Sequence, residues 1–327
     1  MDPRRDRGTV NVVRLSWILA GALAVVACRS PQGAAPAPPA EEASSDADEE
    51  EALAPLVATF RFEHYEALFT LEIAGHGPLT FLLDTGLTPS AIDLTTARKL
   101  GLRLDEDNAL TAGGLGTKRV FLYPTVLPDV VLGGAAIGSF DAVAVDLSAM
   151  AEKLGEPLHG VLGFSFLAGR VVRIDYPKRT ITVGATRSQV TPQGETPALE
   201  RPLAFAEDDI IPMLEVGLGE RRFTATLDTG SALGLEIFTT AVDELGLAET
   251  IATWPEGQGT SAATHEGVLP RVTIGDLELR DVPVSVTPPR GADYRAGNIG
   301  NQLLQRFIVT LDYVDNRVAL THPPARG

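Results

Sequence analysis

Apolar residues in this chain fall in short runs bounded by Gly, Pro, Asn and Asp, and long helical stripes are absent. Such runs read as strands joined by turns. Residues 68–73 predict a strand, Gly75-His76-Gly77-Pro78 a turn, and residues 79–84 a returning strand that ends in a carboxylate. The same phrase recurs at 213–218, 219–220 and 222–228. Short helices are predicted at 94–100 and 238–245; each ends in Leu-Gly-Leu, with Gly101 and Gly246 placed to end the helix in the left-handed conformation.

The repetition continues to the end of the chain. Glycine-rich stretches lie at 112–116 and 256–259, and paired strands at 130–133/140–143 and 272–275/280–283. Gly-x-apolar-Gly follows at 160–163 and 297–300, then strands closing on Asp175-Tyr176 and Asp312-Tyr313. The features keep their order while their offset drifts only from 145 to 137 residues. That pattern marks an internal duplication of one β-rich unit. The expected organisation is mainly β, with a first lobe over 57–190, a linker over 191–202 and a second lobe over 203–322.

Composition narrows the picture. A length of 327 residues suits two domains, each with its own core. The formal charge of −16 and the absence of basic runs beyond the first residues argue against nucleic acid. One cysteine, Cys28, rules out an intrachain disulfide. It follows Arg4, Arg5, Arg7 and Arg14 and the 13-residue apolar segment 15–27, which is too short to span a bilayer and suits a secretory signal. The ending Val25-Val26-Ala27-Cys28 resembles a bacterial lipobox, which implies a signal peptide over 1–27 and acylation of Cys28. Residues 28–56, rich in Pro, Ala and acidic side chains, read as a disordered tether with a reach of about 30 Å. The expected location is the bacterial cell envelope, anchored by lipid on the outer-membrane or periplasmic side.

The candidate chemistry sits in Asp84-Thr85-Gly86 and Asp228-Thr229-Gly230-Ser231, 144 residues apart within the duplication. One Asp-Thr-Gly is an ordinary strand exit. Two copies on a pseudo-twofold axis supply two carboxylates that share a proton, so the pair can take a proton from water and give one to a carbonyl. Here the chain resembles the aspartic peptidases, and most closely the bacterial retropepsin-like proteins with two fused lobes and a cleft between them. The resemblance covers roughly 57–322. It implies that Asp84 and Asp228 hold the attacking water, that Thr85 and Thr229 lock the loops across the axis, and that Gly86 and Gly230 let the backbone turn beneath the carboxylates. It also implies flaps at the glycine-rich stretches, with Gly113, Gly114 and Gly116 in one and Gly257 and Gly259 in the other. Tyr123 and Trp254 flank these stretches and read as packing, as does Ser165.

One position departs from the family pattern: Leu87 stands where Ser or Ala usually follows Asp-Thr-Gly, and Ser231 fills that place in the second copy. The expected function is an aspartic endopeptidase acting on peptide or protein substrates, without cofactor or metal, as a monomer that is a pseudo-dimer within one chain. Leu87 leaves open a catalytically degenerate envelope lipoprotein that binds peptides or a protein partner in the same cleft. An obligate homodimer that pairs lobes between chains is the third alternative.

Overall fold

The computed structural model describes residues 54–113, 119–204, 211–256, 264–289 and 296–324. The predicted signal segment, Cys28 and nearly all of the tether lie outside the described residues, as do Gly114, Gly116, Gly257 and Gly259. No helix among the described residues is long and apolar enough to cross a membrane.

The chain is mainly β, in two repeated lobes. In the first lobe the strands Arg61–Glu63, Glu66–Ile73 and His76–Leu83 form a meander. Beyond it lie Gly160–Leu162, Ser90–Asp93, Ala135–Val145, Arg119–Leu132 and Leu110–Gly113. Glu66–Ile73 also pairs with Arg119–Leu132, which curls this sheet on itself. The second lobe is a closed barrel of Met213–Leu218, Arg221–Leu227, Gly297–Ile299, Leu235–Phe238, Leu277–Thr287 and His265–Ile274. Each lobe contains the same two parallel pairings. The strand that leads into Asp-Thr-Gly runs beside the Gly-x-apolar-Gly strand, and the next strand runs beside the long returning one.

Continuous apolar runs are explained by two-sided burial. Phe81 and Leu83 face the main core, whereas Leu82 between them faces a second cluster with Leu68, Ala91, Val143 and Val161. A strand covered on both faces cannot alternate apolar and polar residues.

A six-stranded sheet spans both lobes in the order Leu56–Thr59, Thr180–Gly184, Val171–Asp175, Ile308–Asp312, Arg317–Thr321, Leu199–Pro202. Its central pair is formed by the two strands that end in Asp-Tyr, antiparallel, with Val171 opposite Asp312 and Asp175 opposite Ile308. The repeated Asp has a local task. Asp175 Oδ1 accepts from Lys178 N at 3.0 Å, and Asp312 Oδ1 accepts from Val314 N at 3.0 Å and Asp315 N at 2.8 Å. Such side chain-to-backbone bonds fix tight turns. Buried Arg173, in the middle of this pair, is neutralised by both oxygens of Glu195 at 2.6 Å.

Two expectations are corrected. The first turn is Ala74–Gly75, both at positive φ (50° and 76°), and His76 already begins the strand His76–Leu83. A two-residue turn with positive φ at both positions suffices to reverse a hairpin, so the following Gly-Pro is not needed for it. The helix expected at 238–245 is only a 3₁₀ turn, Thr239–Ala241, followed by further turns. In the first lobe Asp93 caps the helix Leu94–Lys99 by accepting from Thr96 N at 2.9 Å. Phe238 holds the matching place in the second lobe and has no capping oxygen. The glycines behave alike: φ is +68° at Gly101 and +66° at Gly246.

Candidate active site

Each Asp-Thr-Gly begins where a buried strand ends. Asp84 N donates to Leu162 O and Asp228 N donates to Ile299 O, both at 2.9 Å, so the Gly-x-apolar-Gly strands pin the two loops. The loops then cross. Thr85 N donates to Thr229 Oγ1, and Thr229 N donates to Thr85 Oγ1, both at 3.0 Å. Each threonine hydroxyl in turn donates to the strand end opposite, Thr85 to Leu227 O at 2.6 Å and Thr229 to Leu83 O at 3.1 Å. All four bonds run between lobes and are buried, which makes them a rigid clasp and not a surface contact.

The clasp brings the carboxylates together. A Cβ on Gly86 would sit 3.1 Å from Asp84 Oδ1 and 3.2 Å from Asp228 Oδ1; a Cβ on Gly230 would collide with the Asp84 carboxylate. Only glycine leaves room for the Asp84 carboxylate over the second loop, and Gly86 spares both carboxylates a tight contact. Both loops also bond their own carboxylate: Gly86 N donates to Asp84 Oδ1 at 2.7 Å and Gly230 N to Asp228 Oδ1 at 3.0 Å. Asp84 and Asp228 are 3 % and 4 % exposed, so both carboxylates are buried.

Leu87 and Ser231 occupy matching places with different surroundings. The backbone is shared: Leu87 O accepts from Phe164 N at 2.9 Å and Ser231 O from Asn301 N at 2.7 Å. A Cβ on Gly163 or Gly300 would lie 2.6 Å from these carbonyls, which explains the second glycine of each Gly-x-apolar-Gly. The Leu87 side chain is buried in the second apolar cluster with Leu68, Leu82, Ala91, Val143 and Val161. Ser231 is buried as well, and its Oγ accepts from Leu233 N at 3.4 Å.

Several site residues carry no signal in the sequence. Asn301 follows the second Gly-x-apolar-Gly. Its Nδ2 donates to Thr229 O at 2.6 Å and to Tyr65 O at 2.7 Å, and its Oδ1 accepts from Tyr176 OH at 2.6 Å. One side chain thus ties the second-lobe loop, the first-lobe hairpin and the central sheet. Phe164 takes the corresponding place in the first lobe and meets the Tyr313 ring at 5.8 Å. The two tyrosines of the Asp-Tyr repeats therefore cross to the opposite lobe's motif, one by a hydrogen bond and one by a ring contact. Burial pushes both hydroxyls above the usual tyrosine range; Glu66 adds to the effect at Tyr176 and Asp84 at Tyr313. Glu66 itself is buried beside the site, and burial followed by the charges of Asp84 and Asp228 pushes its carboxyl well above the usual range. Asn301 was one residue past a recognised motif, and a glutamate opening a strand ordinarily reads as solvent-facing.

Of the proposed flap glycines, Gly113 ends the strand Leu110–Gly113, and the other four fall outside the described residues. Trp254 lies over Gly267, where any side chain would collide with its ring, and half-buried Tyr123 stacks on Phe121 at 6.4 Å. Ser165 is a bonding residue, contrary to the packing role expected. Its Oγ accepts from Ser90 N at 3.0 Å and donates to Ser90 Oγ at 2.8 Å, while Ser90 Oγ accepts from Gly163 N at 3.0 Å. No group of three His, Cys, Asp or Glu among the described residues could hold a metal ion.

No curated protein matches the chain. The aspartyl protease family matches it twice, over residues 69–166 and 214–303, once in each lobe and more than half of the chain in all. The chain therefore belongs to the aspartyl protease family.

Proposed function

We propose that this chain is an aspartic endopeptidase in which Asp84 and Asp228 act as one proton-sharing pair. One observation carries the reading: a threonine clasp between lobes sets both carboxylates around the same pair of loop glycines. Carboxylates held this close share a proton. In the reaction a water bound between them attacks the peptide carbonyl carbon. The unprotonated aspartate takes the water's proton, and the protonated one gives its proton to the carbonyl oxygen. Collapse of the resulting gem-diol breaks the C–N bond: the protonated aspartate gives its proton to the amine nitrogen, and the other takes a proton from a diol hydroxyl, which re-forms the C=O of the acid and restores the single shared proton. The loop amides of Gly86 and Gly230 hold one oxygen of each carboxylate throughout.

Leu87 is compatible with this chemistry, because its side chain packs into the second apolar cluster of the first lobe. The binding-only reading, which rested on Leu87, thereby loses its specific motive. The test is cleavage of a peptide library from acid to neutral pH by the full chain, beside Asp84→Asn and Asp228→Asn. Cleavage by wild type that both folded variants lack supports the reading; cleavage that survives either change overturns it.

The same reading extends to a lipid anchor at Cys28, with the substrate met at a bacterial envelope surface. Incorporation of labelled fatty acid in a bacterial host, abolished by Cys28→Ser, is the expected result. Unlabelled wild type would remove the anchor and leave the peptidase chemistry as it stands.

A further inference from the structure

The strand Glu66–Ile73 opens on a carboxyl that is 1 % exposed. Neither Glu66 oxygen has a hydrogen-bond partner among the described residues. A buried charge without a partner is among the most unfavourable arrangements a protein can hold. The groups facing it make ionisation harder. Asp84 and Asp228 approach from the two loops, and Tyr176, from the central sheet, feels its charge. On its own hairpin stand Glu63 directly across, with His64 and Tyr65 in the turn. Arg61 is occupied elsewhere, by Glu63 at 3.1 Å and Glu156 at 2.6 Å. Every influence on the Glu66 carboxyl pushes its proton affinity up, burial most of all.

The turn that leads into this carboxyl is tied to the site. His64 and Tyr65 both adopt positive φ (51° and 63°), as the two central residues of a tight hairpin turn do. The turn is fastened by Asn301, which bonds both Tyr65 O and Thr229 O. The pseudo-twofold axis offers an internal control. Leu68 pairs with Leu82 as Met213 pairs with Thr226, so Glu66 matches buried Ile211 two residues earlier in the second lobe. An apolar side chain fits this register, and the carboxyl is a departure from it.

We propose that Glu66 is a third carboxyl of this site, carried as the neutral acid, and that its proton ties the integrity of the cleft floor to acidic and near-neutral pH. While Glu66 keeps its proton, the site carries only the charge of the Asp84–Asp228 pair. Loss of the proton puts a further negative charge in a buried place where no cation among the described residues meets it. Its meaning for cleavage rests on the aspartic-peptidase reading; its effect on folding does not.

The sign follows from linkage. A carboxyl whose proton affinity is raised by folding stabilises the protein fully below the unfolded glutamate range. That contribution is lost as pH rises through its value in the folded state. The experiment is denaturant unfolding of the full chain from pH 4 to pH 8 for wild type, Glu66→Gln and Glu66→Ile. Gln keeps the size and never ionises; Ile copies the second lobe. The folding constant of Glu66→Gln relative to wild type is expected to rise about tenfold per pH unit above the ordinary glutamate range, until folded wild type gives up the proton. Glu66→Ile, if it folds, follows the same course. The infrared difference between wild type and Glu66→Gln at neutral pH is expected to contain a protonated carboxylic acid band. Parallel stability profiles, or a difference spectrum with only a carboxylate band, overturn the proposal. A chain that cuts no peptide at any pH sinks the peptidase reading and leaves both of these readouts in force.

Discussion

The two lobes present the same loop to the site and support it in opposite ways. In the first lobe the layer behind Asp84 is apolar: Leu68, Leu82, Ala91, Val143, Val145 and Val161 pack with Leu87. At the matching registers the second lobe has Met213, Thr226, Glu236, Ser285, Thr287 and Asn298, all buried. Glu236 organises that layer, accepting from Thr287 Oγ1 at 2.7 Å and Asn298 Nδ2 at 2.8 Å. One copy of the unit is thus backed by a greasy layer and the other by a hydrogen-bonded one. Leu87 and Ser231 follow suit, each suited to the layer beside it. What survived duplication is the geometry of the loop, because the clasp needs both threonines. What drifted is the material behind it, where any self-consistent filling serves.

That contrast can be tested by substitution. The largest effect is expected at the shared feature. Asp84→Asn and Asp228→Asn should each reduce kcat/KM for peptide cleavage by on the order of 10³-fold or more, with little change in melting temperature. A large asymmetry between the two would mean that the lobes differ in chemistry as well as support. Next come the layers themselves. Leu87→Ala should destabilise the fold by about 3 kcal/mol in denaturant unfolding by leaving a cavity. Glu236→Ala should do comparable harm for another reason, by stranding Thr287 and Asn298 without their acceptor. Combining Glu236→Ala with Asn298→Val and Thr287→Val, which copies the first lobe, should recover part of that loss. An additive triple variant would show that the polar layer is no unit.

The clasp should respond evenly. Thr85→Val and Thr229→Val each remove one donor and one acceptor and orphan a buried amide, so each is expected to lower stability by about 2 kcal/mol. Unequal losses in unfolding experiments would show that the interlock is less symmetric than its bond lengths. The smallest effect is expected at Ser231→Ala, within about 1 kcal/mol, since among the described residues the serine hydroxyl accepts just a long bond from Leu233 N at 3.4 Å.

Much of this was legible in the chain. Several strands and hairpins, the duplication, both Asp-Thr-Gly loops and the glycines of Gly-x-apolar-Gly all follow from local pattern and spacing, whereas the sheet order does not. These features act through backbone conformation and short-range contacts, which neighbours in sequence control. At 75–78 and 238–245 the structure departs from the local pattern because a single residue decides the outcome, through the positive φ of Ala74 and the missing cap oxygen at Phe238.

The amino-acid sequence by itself determined that this protein is a duplicated β unit with a carboxylate at the same strand exit in each half. Only the tertiary structure decided which side chains from distant segments share that exit. Asn301 reaches across 236 positions to Tyr65, Tyr176 and Tyr313 cross to opposite lobes, and Glu66 lies buried beside two other carboxyls. The physical reason is that a side chain's charge and bonding state depend on burial and on partners brought by the fold, and neither is written in the residues next to it.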